Sequence, residues 1–166
     1  MNIENKDKLD QILNQIFDKS INNKIDFLIS SNSKDNTKEI ATEFARYLKK
    51  SDILVLNGEL GSGKTVFMSG IAKYFNIENQ VSSPTFTIVN EYINKEDIAI
   101  YHFDVYRIKS INEFLSDVGT EYFYDGICII EWGNIIKEIL PKNTIFIDIS
   151  KDDNDENKRY FHIWRI

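Results

Sequence analysis

The 166-residue chain is short of several residue types, and each shortage removes a class of protein. A single cysteine, Cys128, rules out a disulfide framework within the chain. It lies in the apolar run Gly126-Ile127-Cys128-Ile129-Ile130, so it is expected as a small core residue and not as a reactive thiol. Two prolines and seven glycines leave no linker, low-complexity stretch or internal repeat. Only four arginines occur, Arg46, Arg107, Arg159 and Arg165, and the net charge is −6. Direct nucleic-acid binding is therefore disfavoured, because displacing phosphate counterions needs clustered cations. Any RNA would be held by another protein. His102 and His162 lack metal-ligand spacing and read as ordinary strand residues. With no long apolar stretch, neither a signal peptide nor a membrane span is expected, and a cytoplasmic location follows.

What is present is a hydrophobic content of 42%, enough for the core of one domain, and one complete motif. Gly58-Glu59-Leu60-Gly61-Ser62-Gly63-Lys64-Thr65 matches the phosphate-binding pattern G-x-x-x-x-G-K-[ST]. Its fixed positions co-occur by chance in roughly one chain in a hundred of this length. The apolar run Ile53 to Leu56 before it reads as a buried strand, and Val66 to Phe75 after it has helix composition. Glycines allow the backbone to approach phosphates closely, and a helix N-terminus offers free N–H groups to anions. Lys64 can reach the β- and γ-phosphates, and the Thr65 hydroxyl can hold magnesium. Glu59, Leu60, Gly61, Ser62, Gly63, Lys64, Thr65 and Val66 are the candidate nucleotide-binding residues. A mere glycine-rich turn between strand and helix is the weaker reading.

Leu9, Ile12, Leu13, Ile16 and Phe17 recur at helical spacing and predict an amphipathic N-terminal helix, packed on the domain or, less simply, docking a partner. Residues 1–23 are read as this helical extension and 24–166 as one domain. Strands are expected at 24–30, 53–56, 86–93, 98–107, 127–130, 144–150 and 159–165. Helices are expected from the capping residues near Ser33 to about Lys50, over 66–75, over 112–124 and near 134–140. The acidic segment 151–158 suits an exposed hairpin loop. The pattern predicts an α/β fold with a mixed central sheet flanked by helices and C-terminal antiparallel strands.

A phosphate loop needs an acidic partner at the end of another strand, to hold magnesium and orient the attacking water. Glu131 ends the run Ile127 to Ile130, and Asp104 sits in Tyr101-His102-Phe103-Asp104-Val105-Tyr106-Arg107. Strand alternation puts His102, Asp104 and Tyr106 on one face and Arg107 on the other, so Arg107 is assigned to a salt bridge and slow intrinsic hydrolysis is expected. A carboxylate buried in an aromatic strand is costly unless paired or metal-bound, which favours a role for Asp104. Lys64, Asp104 and Glu131 are the candidate catalytic residues, with Thr65 and Glu131 at the metal. Asn94-Lys95-Glu96-Asp97 matches a guanine-reading pattern but lies too early, about 30 residues past Lys64, and no D-x-x-G occurs; a turn is expected there and ATP is favoured. A small-molecule kinase would need an arginine-rich lid, and a non-catalytic nucleotide-binding module stays open.

Taken in order, the phosphate loop, Ser83-Pro84-Thr85-Phe86, His102-Phe103-Asp104-Val105-Tyr106-Arg107 and Glu131-Trp132-Gly133 resemble the TsaE (YjeE) family, over about 24–166. The resemblance implies a P-loop NTPase fold and an ATPase of bacterial tRNA threonylcarbamoyladenosine synthesis, using ATP and Mg2+ and acting with TsaB and TsaD, which would hold the tRNA. By position it carries over Lys64 and Thr65 as phosphate and magnesium contacts, Glu131 at the metal and Asp104 as a catalytic or metal-linked carboxylate. Thr85 would lie in a switch-like loop near the γ-phosphate, and Thr37 at a position near the nucleotide, where helix capping accounts for it equally well. Trp132 is also a family feature, for which packing accounts equally. The first two dozen residues extend beyond the usual family start.

Overall fold

The computed structural model describes residues 3–21, 25–82, 84 and 87–166, with the side chains of 3–5 excluded. Thr85, Ser83 and the expected strand start at Phe86 lie outside them. Seven strands form one mixed sheet: β1 (Ile25–Ser31), β2 (Ile53–Asn57), β3 (Val89–Ile93), β4 (Ala99–Asp104), β5 (Ile127–Glu131), β6 (Ile145–Lys151) and β7 (Arg159–Arg165), in the order β1-β7-β6-β2-β5-β4-β3. Strands β6, β2, β5 and β4 run parallel, while β1, β7 and β3 pair antiparallel with their neighbours. The expected mixed sheet with antiparallel C-terminal strands is what the chain forms.

The continuous apolar runs of β2 and β5 are explained by cover on both faces, and all five positions of each are buried. On one face α1 (Ile3–Phe17), α2 (Lys34–Ala45) and α3 (Lys64–Tyr74) enclose a core that includes Leu13, Phe44, Leu56, Phe67 and Phe161. On the other, α4 (Ile111–Asp117), α5 (Tyr122–Asp125) and a 3-10 helix (Gly133–Ile139) cover Phe103, Phe123, Ile130 and Phe146. Cys128 is a core residue as expected, and burial pushes its thiol up to about 12.

Local chemistry moved several boundaries. Helix α2 stops at Ala45, short of Lys50, because Arg46, Tyr47 and Leu48 donate to carbonyls three residues back, the tightening typical of a helix end. The helix expected over 112–124 is two helices, divided at Gly119, whose φ of 83° sits in the left-handed region. Strand β4 ends at Asp104 and not Arg107, since the Asp104 carboxylate accepts from the Tyr106 N–H at 3.1 Å and turns the chain. The segment Asn94 to Asp97 is the β3–β4 turn, as expected: the Asn94 carboxamide oxygen accepts from the Glu96 and Ile98 N–H groups.

Helix α1 packs on the domain through buried Leu9, Ile12, Leu13 and Ile16. Its C-terminal end is tied down by Arg165, whose guanidinium donates to the oxygens of Ile16, Asp18 and Ile21 at 2.6, 2.9 and 2.5 Å. Among the described residues no helix is long and apolar enough to cross a membrane.

Candidate nucleotide site

The site forms where β2 gives way to α3. Between Asn57 and Lys64 the chain folds back on itself, with Gly58, Gly61 and Gly63 at φ of 141°, 73° and 118°. A side chain at Gly58 would run into the Ile149 carbonyl oxygen and the Ser62 hydroxymethyl group, so the position admits only glycine. Within the loop the buried Ser62 hydroxyl has no hydrogen-bond partner. Glu59, Gly61 and Thr65 are exposed, Leu60 strongly so at 87%, and Val66 is half-buried on the first turn of α3. Gly63 caps that helix with no side chain over its N–H groups.

Lys64 is buried, and its ammonium donates to the carbonyls of Gly58 at 2.8 Å and Glu59 at 3.2 Å. It also lies 3.9 Å above the Trp132 ring, a cation–π contact. Burial pulls the Lys64 pKa down, and the carboxylates of Glu131 and Asp104 pull it back up. Trp132 holds a left-handed turn, φ 63°, directly after β5, and Tyr106 packs against its ring with centres 5.0 Å apart. The indole is therefore both a sheet-end aromatic and a contact of the loop lysine.

The two predicted carboxylates stand side by side, Asp104 pairing with Glu131 across the parallel β4–β5 ladder, and Leu56 pairing with Glu131 on the other side. The burial cost argued for Asp104 falls on its neighbour instead. Glu131 is the buried one, at 5% exposure, while Asp104 is half-buried at its strand end. His102 accounts for the tolerance of Glu131: its Nε2 lies 3.1 Å from Glu131 Oε1, with the ring 1% exposed. An ordinary strand residue was the expectation for His102; it is instead the partner of the site's buried carboxylate. Its Nδ1 is buried with no hydrogen bond, so among the described residues the Glu131 contact is the polar anchor of the ring.

Thr37 is buried in α2 with its hydroxyl 2.7 Å from that of Ser31, and it does not cap the helix. Ser33 does, accepting from the Asn36 N–H at 3.0 Å. Ser31 pairs with Arg159, and Arg159 reaches the phosphate loop: its Nε donates to the Ser62 oxygen at 2.8 Å. Lys151 donates to the Leu60 oxygen at 3.4 Å, and Asn57 donates to Asp148 at 3.0 Å and Asn134 at 3.1 Å. Arg159, Lys151 and Asn57 carried no sequence signal, since each meets its partner through sheet order and not through spacing.

The donors suit a magnesium nucleotide. Among the described residues no three His, Cys, Asp or Glu side chains converge on a cation site. Thr65 and Glu131 are the residues that would hold a magnesium ion, and the bare α3 N-terminus suits anionic oxygens.

A profile of the family described as "Threonylcarbamoyl adenosine biosynthesis protein TsaE" matches residues 31–161. The tRNA threonylcarbamoyladenosine biosynthesis protein TsaE of Bacillus subtilis is 42% identical over 129 residues, covering 76% of this chain and 79% of the relative. That of Treponema pallidum is 36% identical over 121 residues, covering 72% and 87%. The crystal structure of YdiB from Bacillus subtilis superposes with a TM-score of 0.68 at 31% identity, covering 88% of this chain and 89% of that one. With a P-loop NTPase fold, the phosphate loop at the end of its central strand and the match over most of its length, the chain belongs to the TsaE family.

Proposed function

We propose that this protein binds ATP with Mg2+ and hydrolyses it slowly in support of tRNA threonylcarbamoyladenosine biosynthesis, working in the cytoplasm with TsaB and TsaD, which hold the tRNA. Residues 24–166 form the ATPase domain and 1–23 a helical extension to it. The observation that carries the reading is the gathering of Lys64, Trp132, Glu131 and Asp104 at the ends of β2, β5 and β4 around one glycine loop. The similarity to the TsaE proteins supports the pathway, and the net charge of −6 agrees with a tRNA held by partners.

Binding starts with the loop N–H groups and the α3 N-terminus donating to the phosphate oxygens. Lys64 exchanges the Gly58 and Glu59 carbonyls for phosphate, which compensates the charge that burial makes costly. Thr65 and Glu131 would hold magnesium, whose charge neutralises that of the transferring phosphate. His102 keeps the Glu131 carboxylate aligned, and Asp104, more open to solvent, would orient the attacking water. Thr85 and Thr37 are assigned to the γ-phosphate loop and the nucleotide surround.

Phosphate release by the protein alone and with TsaB and TsaD tests the activity, and nucleoside mass spectrometry of tRNA from depleted cells tests the pathway. Stimulation by the partners and loss of threonylcarbamoyladenosine are the expected results. Unchanged modification in depleted cells would overturn the pathway, and absence of nucleotide binding would overturn the whole assignment.

A further inference from the structure

The phosphate loop is gripped from outside by a part of the chain remote in sequence. Lys151 and Arg159 occupy paired positions at the ends of β6 and β7. Arg159 donates through Nε to the Ser62 carbonyl at 2.8 Å and through Nη1 to the Glu156 and Lys158 carbonyls at 2.6 and 2.8 Å. Lys151 donates to the Leu60 carbonyl at 3.4 Å. Both cations back directly onto the glycines that follow those carbonyls: a side-chain carbon at Gly61 would lie 3.4 Å from the Lys151 ammonium, and one at Gly63 would lie 4.0 Å from Arg159 Nε.

A trans peptide is planar, and its C=O and N–H point opposite ways. Turning the Leu60 and Ser62 oxygens toward the β6–β7 hairpin therefore aims the N–H groups of Gly61 and Gly63 away from it. Glycine alone does not hold such an orientation, because it visits left- and right-handed conformations with similar ease. We propose that Arg159, assisted by Lys151, is a positioning residue that fixes the peptide planes of the phosphate loop so that its N–H groups are set for phosphate before the nucleotide arrives. The guanidinium spends its described hydrogen bonds on main-chain carbonyls, and it acts on the nucleotide through the loop. Preorganisation of this kind appears as affinity for the ligand.

The proposal rests on the nucleotide-binding reading above. The test uses the full chain with Mg2+ and compares wild type, Arg159→Ala, Arg159→Lys and Lys151→Ala. Calorimetry gives the dissociation constants of ADP and of the non-hydrolysable ATP analogue AMP-PNP, and hydrogen exchange follows the amides of residues 58–65. Arg159→Ala should weaken both nucleotides alike, by about tenfold, and speed exchange in the loop. Arg159→Lys should fall between it and wild type, and Lys151→Ala should show a loss of about twofold to threefold. Affinities within twofold of wild type for Arg159→Ala, with unchanged loop exchange, would overturn the proposal. So would a loss confined to AMP-PNP, which would make Arg159 a γ-phosphate contact. If Arg159→Ala does not fold, Arg159→Lys and Lys151→Ala decide by the same criteria. Wild type that binds neither nucleotide overturns the reading beneath the proposal, whereas intact wild-type binding with unaffected variants overturns the proposal alone.

Discussion

On the β4–β5 side of the phosphate loop stand the carboxylates Glu131 and Asp104, whereas from the β6–β7 side the cations Lys151 and Arg159 donate to it. Arg159 spends its described hydrogen bonds on main-chain carbonyls, and Lys151 adds one longer bond, so together they shape the loop from outside. The carboxylates lie next to where anionic phosphates would bind, an arrangement that repels unless a cation stands between them. Lys64 is bonded to loop carbonyls, and burial pulls its pKa down while the two carboxylates offset part of that. One flank thus holds the loop's geometry, and the other is the one proposed to face the metal and the reacting phosphate.

The largest effect should come from Lys64, where the flanks converge. Lys64→Ala is expected to lower phosphate release on the order of 10² to 10³-fold, because an aligned charge at the transferring phosphate is lost. A rate within tenfold of wild type would remove the loop from the chemistry. Glu131→Gln probes the acidic flank alone, since a carboxamide oxygen can still accept from His102. Hydrolysis should fall about 10²-fold while ADP binding measured without magnesium stays near wild type. Equal losses with and without the metal would show that Glu131 supports the fold and not a cation.

These flanks are unequally legible in the sequence. The loop is plain because Gly58 to Thr65 is contiguous, and its chemistry needs particular residue types at fixed offsets. Glu131 stands out because it ends the apolar run Ile127 to Ile130, where a phosphate loop needs an acidic partner at the end of another strand. His102 carries no such signal: its partner lies 29 residues away on the neighbouring strand, and only the β4–β5 register brings the two together. Arg159 is hidden in the same way at a separation of 97, and the shortage of arginines points to their number and not to their places. Thr37 invites a capping role that belongs to Ser33, since a run of Ser, Asn, Asp and Thr offers several possible caps and only the backbone selects one.

A stability test comes next in size. Gly58→Ala should destabilise the fold by about 3 kcal/mol, because its backbone angle excludes other residues and the added carbon strikes the Ile149 carbonyl of β6. Gly61→Ala meets only the flexible Lys151 side chain, and its cost is that of the left-handed conformation, about 1 to 2 kcal/mol. Urea denaturation should rank the two in that order. Equal losses would mean that the β6–β7 flank does not constrain the loop where it leaves β2.

The smallest effect concerns the acidic end of the β6–β7 hairpin. Asp152 accepts from the Tyr160 hydroxyl at 2.7 Å and from the Asn154 N–H at 2.9 Å, with Lys158 3.5 Å away. The Tyr160 hydrogen bond is the main cause that draws its pKa from 3.8 down to about 2. A carboxylate with a depressed folded-state pKa contributes stability that is fully present above its unfolded value and disappears as pH falls through the folded one. The contribution of Asp152 should therefore be complete above pH 3.8 and be lost on acidification toward about pH 2. Tyr160→Phe removes the principal donor, so its stability should fall less steeply than wild type across that window while the two run parallel at neutral pH. Curves that stay parallel throughout would show that the Tyr160 bond does not hold the hairpin, leaving Arg159 as its tie to the phosphate loop.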